Sequence, residues 1–314
     1  MSSFRKLAVL SLIATFVLVS IGGLVRATKS GLGCGTDWPD CGGRLIPALA
    51  SRAEIIEFSH RAAASVVVLL LGLLALQAFR RRADYPSLLT PSIGAFGLVM
   101  FQAVLGAVVV KLELEAESVI LHLATALSLV ALLIYIVGIS SASENSLSEP
   151  QDAEANSLAR RAAGAVFLLL LVGSYVSGKG AGLAFSDWPL MGGKLIPSLA
   201  VEDQAVHFIH RALAAIVGVI LLFTAIKISR RKSEQPLAAK LAQAGVGLFA
   251  IEVLIGALNV WTDLNSAAVT LHLATGALIW GAWVGAAVVT SPKLHRRALA
   301  THSEVRRAAG AEAG

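Results

Sequence analysis

Charge is what this chain has least of: Asp, Glu, Lys and Arg make up 15% of its 314 residues, against 56% hydrophobic residues. With a mean hydropathy of +0.75, that scarcity excludes a soluble globule and leaves a chain that crosses a membrane many times. Cysteine is nearly absent, with two residues in all. Two thiols are too few for a cysteine-built metal centre, which wants three or four ligands. No small-residue cleavage site follows the first apolar run; Gly22-Gly23-Leu24-Val25-Arg26 leads straight on. That run is therefore expected to be a spanning helix and not a secretory signal. The tail after Ser291 is polar and alanine-rich and carries no motif.

What the chain does have is eight apolar runs, at about 7–26, 55–79, 88–110, 118–139, 161–178, 205–228, 238–260 and 267–290. Each is close to the roughly 20 residues that a spanning helix needs. The expected fold is an all-α integral membrane protein, with eight transmembrane helices forming two tandem pseudo-symmetric four-helix bundles. The expected divisions are a first bundle at 1–140, a cytoplasmic linker at 141–160, a second bundle at 161–292 and a cytoplasmic tail at 293–314. Basic residues set the orientation. Arg5 and Lys6 precede the first span, and Arg80-Arg81-Arg82 follow the second. Arg160-Arg161 precede the fifth, Arg230-Arg231-Lys232 follow the sixth, and Lys293, Arg296 and Arg297 follow the eighth. All fall on one side, read as cytoplasmic, with both termini there; Arg26, Lys29, Arg44 and Arg52 on the opposite side weaken the bias without reversing it. The net charge of +6 and the pI near 9.6 follow from this bias and are no argument for nucleic acid.

The chain repeats itself 150 residues on. Trp38-Pro39 returns as Trp188-Pro189, and Gly42-Gly43-Arg44-Leu45-Ile46-Pro47 returns as Gly192-Gly193-Lys194-Leu195-Ile196-Pro197. His60-Arg61-Ala62 returns as His210-Arg211-Ala212, and Leu121-His122-Leu123-Ala124-Thr125 as Leu271-His272-Leu273-Ala274-Thr275. A long repeat means two copies of one structural unit. With four spans per copy, both copies run the same way through the membrane. Each copy keeps two histidines near the outer ends of its second and fourth spans. Ionisable residues inside a membrane are costly and point to function. Two facing imidazoles suit one haem iron better than zinc, which wants more ligands per centre. The plainer reading is that each histidine hydrogen-bonds across helices; four at matching depths favour haem.

The copies also differ. Glu57 lies three residues before His60 on the same helix face, and His207 takes its place beside His210. A carboxylate beside a haem site suits proton acceptance during an oxidation; the plainer reading is an interfacial acid paired with Arg52 or Arg61. Its absence from the second copy favours chemistry in the first. Cys34 and Cys41 are replaced by Ala184 and Met191. In an outer loop the pair suits a disulfide, either as a structural staple or as a redox-active bond. Arg61 and Arg211 suit haem propionates or simple snorkelling to the surface. Gln102…Gly106 and Glu252…Gly256 lie in the third and seventh spans. The glycines there are expected to allow close helix packing, and Glu252 has no assigned role. The Trp-Pro loops are expected to cap the bundles.

The stretch Gly31-Leu32-Gly33-Cys34-Gly35-Thr36-Asp37-Trp38-Pro39-Asp40-Cys41, followed by Glu57-Phe58-Ser59-His60-Arg61, closely resembles the heme A synthase family. The match extends to Leu121-His122-Leu123-Ala124-Thr125 and to both second-half histidine motifs. The resemblance implies eight spans in two similar four-helix bundles and an oxidoreductase that converts the C8 methyl of heme O to a formyl group by successive hydroxylations, giving the heme A of cytochrome oxidase. It implies His60 and His122 at the substrate haem, Glu57 in catalysis, and His210 and His272 holding a haem b cofactor. The loop cysteines match one bacterial subgroup, in which a disulfide with a redox role is expected. The implied partners are heme O, heme O synthase, cytochrome oxidase assembly factors and membrane lipid, with no nucleic acid; a homo-oligomer stays open. The implied location is the plasma membrane, with the haem sites toward the outer face. Two other readings of the four histidines remain: a di-haem b electron-transfer cytochrome without haem-modifying activity, and a haem carrier with no chemistry.

Overall fold

In the computed structural model the described residues are 2–142 and 152–292. The expected tail at 293–314, and 143–151 of the expected linker, lie outside them. The described chain forms α1 (Ser2–Ala27), α2 (Arg52–Arg80), α3 (Pro86–Lys111), α4 (Ala116–Ala142), α5 (Ala153–Gly178), α6 (Glu202–Ser229), α7 (Pro236–Trp261) and α8 (Ser266–Val289), with a short 3-10 turn at Ala181–Leu183. All eight helices are long and apolar enough to cross a membrane. At 1.5 Å per residue their 24–29 residues reach roughly 36–44 Å, beyond the ~30 Å hydrocarbon core.

The helices outrun the apolar segments because polar caps extend them. Residues 153–160, expected in the linker, are the first turns of α5. Asp152 accepts the Ala155 N–H at 2.9 Å, and Arg231, just past α6, pairs with both Asp152 and Glu154. Hydropathy marks only the part of a helix that faces lipid, so these capped turns, which carry Glu154, Asn156, Ser157 and Arg160 among alanines, escape it. Ser51 likewise accepts the Glu54 N–H at 3.1 Å and starts α2, while Pro86 and Pro236 open α3 and α7 in the first turn, where a missing N–H costs nothing.

Within the first half, α1 packs on α2 and α4, and α3 lies between α2 and α4; the second half repeats these contacts among α5, α6, α7 and α8. The halves meet through α1–α8, α4–α5 and α4–α8. Trp280 on α8 donates its indole N–H to the Leu127 carbonyl of α4 at 3.2 Å and lies against Phe167 of α5. Arg26 donates to the Ser177 carbonyl at 2.8 Å. One apolar cluster gathers Phe4, Leu71, Leu74, Leu133 and Ile136; the other gathers Leu221, Ile228, Ile279 and Trp283 and takes in Leu127 and Val130. Many large apolar side chains instead point outward, Leu69 and Val219 at 67% and 69% exposure. A lipid solvent requires that, and water would penalise it.

The two long loops, 28–51 and 179–201, lie at the same end and fold alike. Each carries a cis Trp-Pro bond and an isolated bridge, Cys41 with Arg44 and Met191 with Lys194. Each turns through a glycine pair at positive φ, Gly42-Gly43 and Gly192-Gly193, where other residues are strained. They differ in how they are closed. The first is stapled by a Cys34–Cys41 disulfide. The second uses Asp187, whose Oδ1 and Oδ2 accept the N–H groups of Gly192 and Gly193 at 2.7 and 2.8 Å.

Those donors, Gly193 foremost, hold the Asp187 carboxyl below its ordinary value of 3.8. A depressed folded value means that the stabilisation is fully present above pH 3.8 and is lost as the pH falls through the folded value. Acidification should therefore open the second loop to protease before the disulfide-closed first loop. Asp187→Ala should show the opened pattern already at neutral pH; equal cleavage of both loops at every pH contradicts this.

Candidate functional site

Four imidazoles stand about two turns in from the loop end: His60 on α2, His122 on α4, His210 on α6 and His272 on α8. Each ring lies against a glycine of the neighbouring helix. A Cβ added to Gly22 would stand 3.3 Å from the His60 Cε1, one on Gly106 3.4 Å from that of His122, one on Gly173 3.0 Å from that of His210, and one on Gly256 3.3 Å from that of His272. The glycines expected only to bring helices together thus also seat the histidines. This was missed in the sequence, although Gly106 and Gly256 precede His122 and His272 by the same interval.

In all four rings Nδ1 is buried without a hydrogen-bond partner, while the residues themselves are half-buried. The other nitrogen, Nε2, is the one left open. The His210 and His272 ring centres are 6.4 Å apart, with the planes at 82°. Metal–imidazole bonds of about 2 Å on opposite sides of one atom put ring centres about 6 Å apart, so the pair has room for one iron between the rings. His122 lies within electrostatic reach of His60. Among the described residues no three His, Cys, Asp or Glu side chains gather as a metal cluster. Paired nitrogen donors with nothing else converging suit the axial positions of a haem and not a bare ion.

The broken symmetry is physical. Glu57 is 3% exposed. Its Oε1 meets Arg61 at 2.5 Å, and its Oε2 accepts the Cys34 N–H at 2.8 Å. Of the two arginines considered for Glu57, Arg61 is the partner. Arg61 also donates to the Asp40 carbonyl at 2.7 Å. The carboxylate thus joins α2 to the disulfide loop. In the second half His207 stands in its place, accepting from Arg211 Nε at 2.9 Å. Arg211 donates in turn to the Asp187 and Leu190 carbonyls at 2.9 and 3.0 Å. Both arginines therefore clamp their loops. Cys34 and Cys41 are 5% and 4% exposed, and Cys41 Sγ lies 4.0 Å from Glu54 Oε1.

Glu252, the acid without a role in the sequence, is 9% exposed and places Oε1 3.1 Å from Nδ1 of His272. The signal was available: an intramembrane acid aligned with Gln102 of the first copy. Gln102 is bonded elsewhere, donating to the His122 carbonyl at 2.8 Å and accepting from the Thr125 hydroxyl.

Fold and site together define a polytopic helical membrane protein with two half-buried histidines in each half, each seated against a glycine of the neighbouring helix. The sequence profile of the COX15-CtaA family, described as cytochrome oxidase assembly protein, matches residues 5–55 and 49–284. The chain belongs to that family. It is similar to the heme A synthase of Exiguobacterium sibiricum, 34% identical over 239 residues that cover 73% of this chain and 78% of the relative. The heme A synthase of Staphylococcus saprophyticus is 29% identical over 291 residues, 90% of this chain and 94% of the relative. That of Staphylococcus haemolyticus is 29% identical over 287 residues, 88% and 92% of the two chains.

Proposed function

We propose that this protein is a heme A synthase, an oxidoreductase that takes the C8 methyl of heme O to a formyl group by successive hydroxylations, for cytochrome oxidase assembly. The observation that carries the reading is the pair of matched histidine sites, of which only the first has a carboxylate one turn before its α2/α6 histidine and tied to the outer loop, Glu57, where the second has His207. In the first four-helix unit, His60 and His122 hold and orient heme O. In the second, His210 and His272 hold haem b, which supplies one-electron transfer when bound. The glycines behind the rings fix the imidazole planes. Glu57 accepts protons released from the substrate, through an oxygen that Arg61 keeps in place. The two Trp-Pro loops cover the sites and exclude water, Arg61 and Arg211 pinning them down. The protein lies in the plasma membrane with both termini cytoplasmic and the loop end outside. Heme O arrives from heme O synthase, and the product passes to oxidase assembly factors.

Expression with a source of heme O, followed by extraction and chromatography of the haems, tests the reading. Heme A or its hydroxylated intermediate is expected. Haem b alone would instead support a di-haem electron carrier.

A further inference from the structure

Nδ1 of His60, His122 and His210 is buried without a partner beside a glycine of the neighbouring helix; Nδ1 of His272 lies 3.1 Å from an acid. We propose that Glu252 is the positioning residue of the second-half haem site, holding the Nδ1–H of His272 and lowering the reduction potential of the iron on its Nε2. The inference rests on the reading of His210 and His272 as ligands of a haem.

An imidazole that gives Nε2 to a metal carries its proton on Nδ1, and an acceptor there fixes the ring and raises its basicity. Glu252 Oε1 is 3.1 Å from that nitrogen. As the ring stands Nδ1 makes no hydrogen bond, and Glu252 Oε2 has no partner either. A turn of the ring that brings the N–H onto Oε1 satisfies the donor, and leaving that donor unpaired in a membrane is costly. The space for the carboxylate is built in. A Cβ on Gly276 would lie 3.2 Å from Oε1, and the first copy has Ala126 at that position. Acid and glycine therefore appear together, against Gln102 and Ala126 in the first copy. There Gln102 turns to the His122 carbonyl and the Thr125 hydroxyl, and Nδ1 of His122 is left without a partner.

A more basic imidazole stabilises ferric over ferrous iron, and hydrogen bonding around a haem ligand is one of the levers on its potential. The acid thus sets the iron at His272 to a lower potential than the same site would have without it.

Redox titration of the purified, haem-loaded protein, followed by absorption, tests this. Glu252→Gln keeps the shape but weakens the acceptor. It should retain haem b and shift its ferric–ferrous equilibrium toward ferrous by on the order of tenfold, about 59 mV for one electron. If Glu252→Gln loads less haem, Glu252→Asp should restore both the loading and the wild-type potential. An unchanged potential with haem retained, or failure of Asp to restore, overturns the role of Glu252. A wild type with no haem that depends on His272 overturns the cofactor reading itself, and His272→Ala tells the two failures apart.

Discussion

Glu57→Gln is expected to cut conversion of heme O by on the order of 10² to 10⁴, the usual worth of a positioned acid or base, with haem b content at the wild-type level. The choice of glutamine matters because Glu57 does two things. It anchors the disulfide loop through the Cys34 N–H, and it offers a carboxylate beside the substrate histidines. The amide of glutamine still accepts from Cys34 through its one oxygen and still fills the buried space; it gives up the Arg61 ion pair, though Arg61 keeps its bond to the Asp40 carbonyl, and it cannot take a proton. If Glu57 only anchors the loop, glutamine loses little and alanine loses much. If it takes protons, both variants lose conversion alike. Turnover should fall while substrate affinity holds, since His60 and His122 are untouched. Haem analysis and a split of kcat from KM read the outcome, and normal conversion by Glu57→Gln removes Glu57 from the chemistry.

His272→Ala is expected to deplete haem b while the first half still takes up heme O. Losing a ligand should weaken binding by more than about 100-fold, since losing a mere supporting residue costs 10- to 100-fold. The geometry makes the effect one-sided. His272 sits against Gly256, facing His210 across 6.4 Å between ring centres, and alanine leaves His210 with no counterpart. The apolar cluster around Trp283 and Leu221, which α8 shares with Leu127 and Val130 of α4, does not include His272, so loss of haem is not loss of fold. The absorption spectrum of the purified protein reads the result; an unchanged haem b signal refutes the second-half site.

The eight helices were legible because apolar runs of this length in lipid have one solution, with every backbone group bonded inside its own helix. Their ends were not. The eight extra residues of α5 at 153–160 mix Ala153, Ala155, Leu158 and Ala159 with Glu154, Asn156, Ser157 and Arg160, too polar a stretch for hydropathy to count, and their start is held by Asp152 and Arg231. The repeat exposed the four histidines and the odd acid Glu57, as well as the cysteine pair whose disulfide the fold contains. What it hid were contacts between elements. That Glu57 reaches back to Cys34, 23 residues away, depends on how the loop folds over α2. That Gly173 seats His210 depends on the register of α5 against α6. Glu252 was conspicuous as an acid in a span, but its partner is set by the rotation of α7 against α8. Single-residue signals survive in a sequence, whereas pairings across helices need the helices placed.

The claim that the first half performs the conversion while the second holds the electron-transfer haem rests most directly on one measurement: the haem composition of purified variants that each lack one histidine pair, made with a supply of heme O. Loss of His210 and His272 together should leave heme O bound and unconverted, with haem b gone. Loss of His60 and His122 together should leave haem b in place, with neither heme O nor heme A. The same residual haem in both variants, or heme A formed without His60 and His122, contradicts the division of labour.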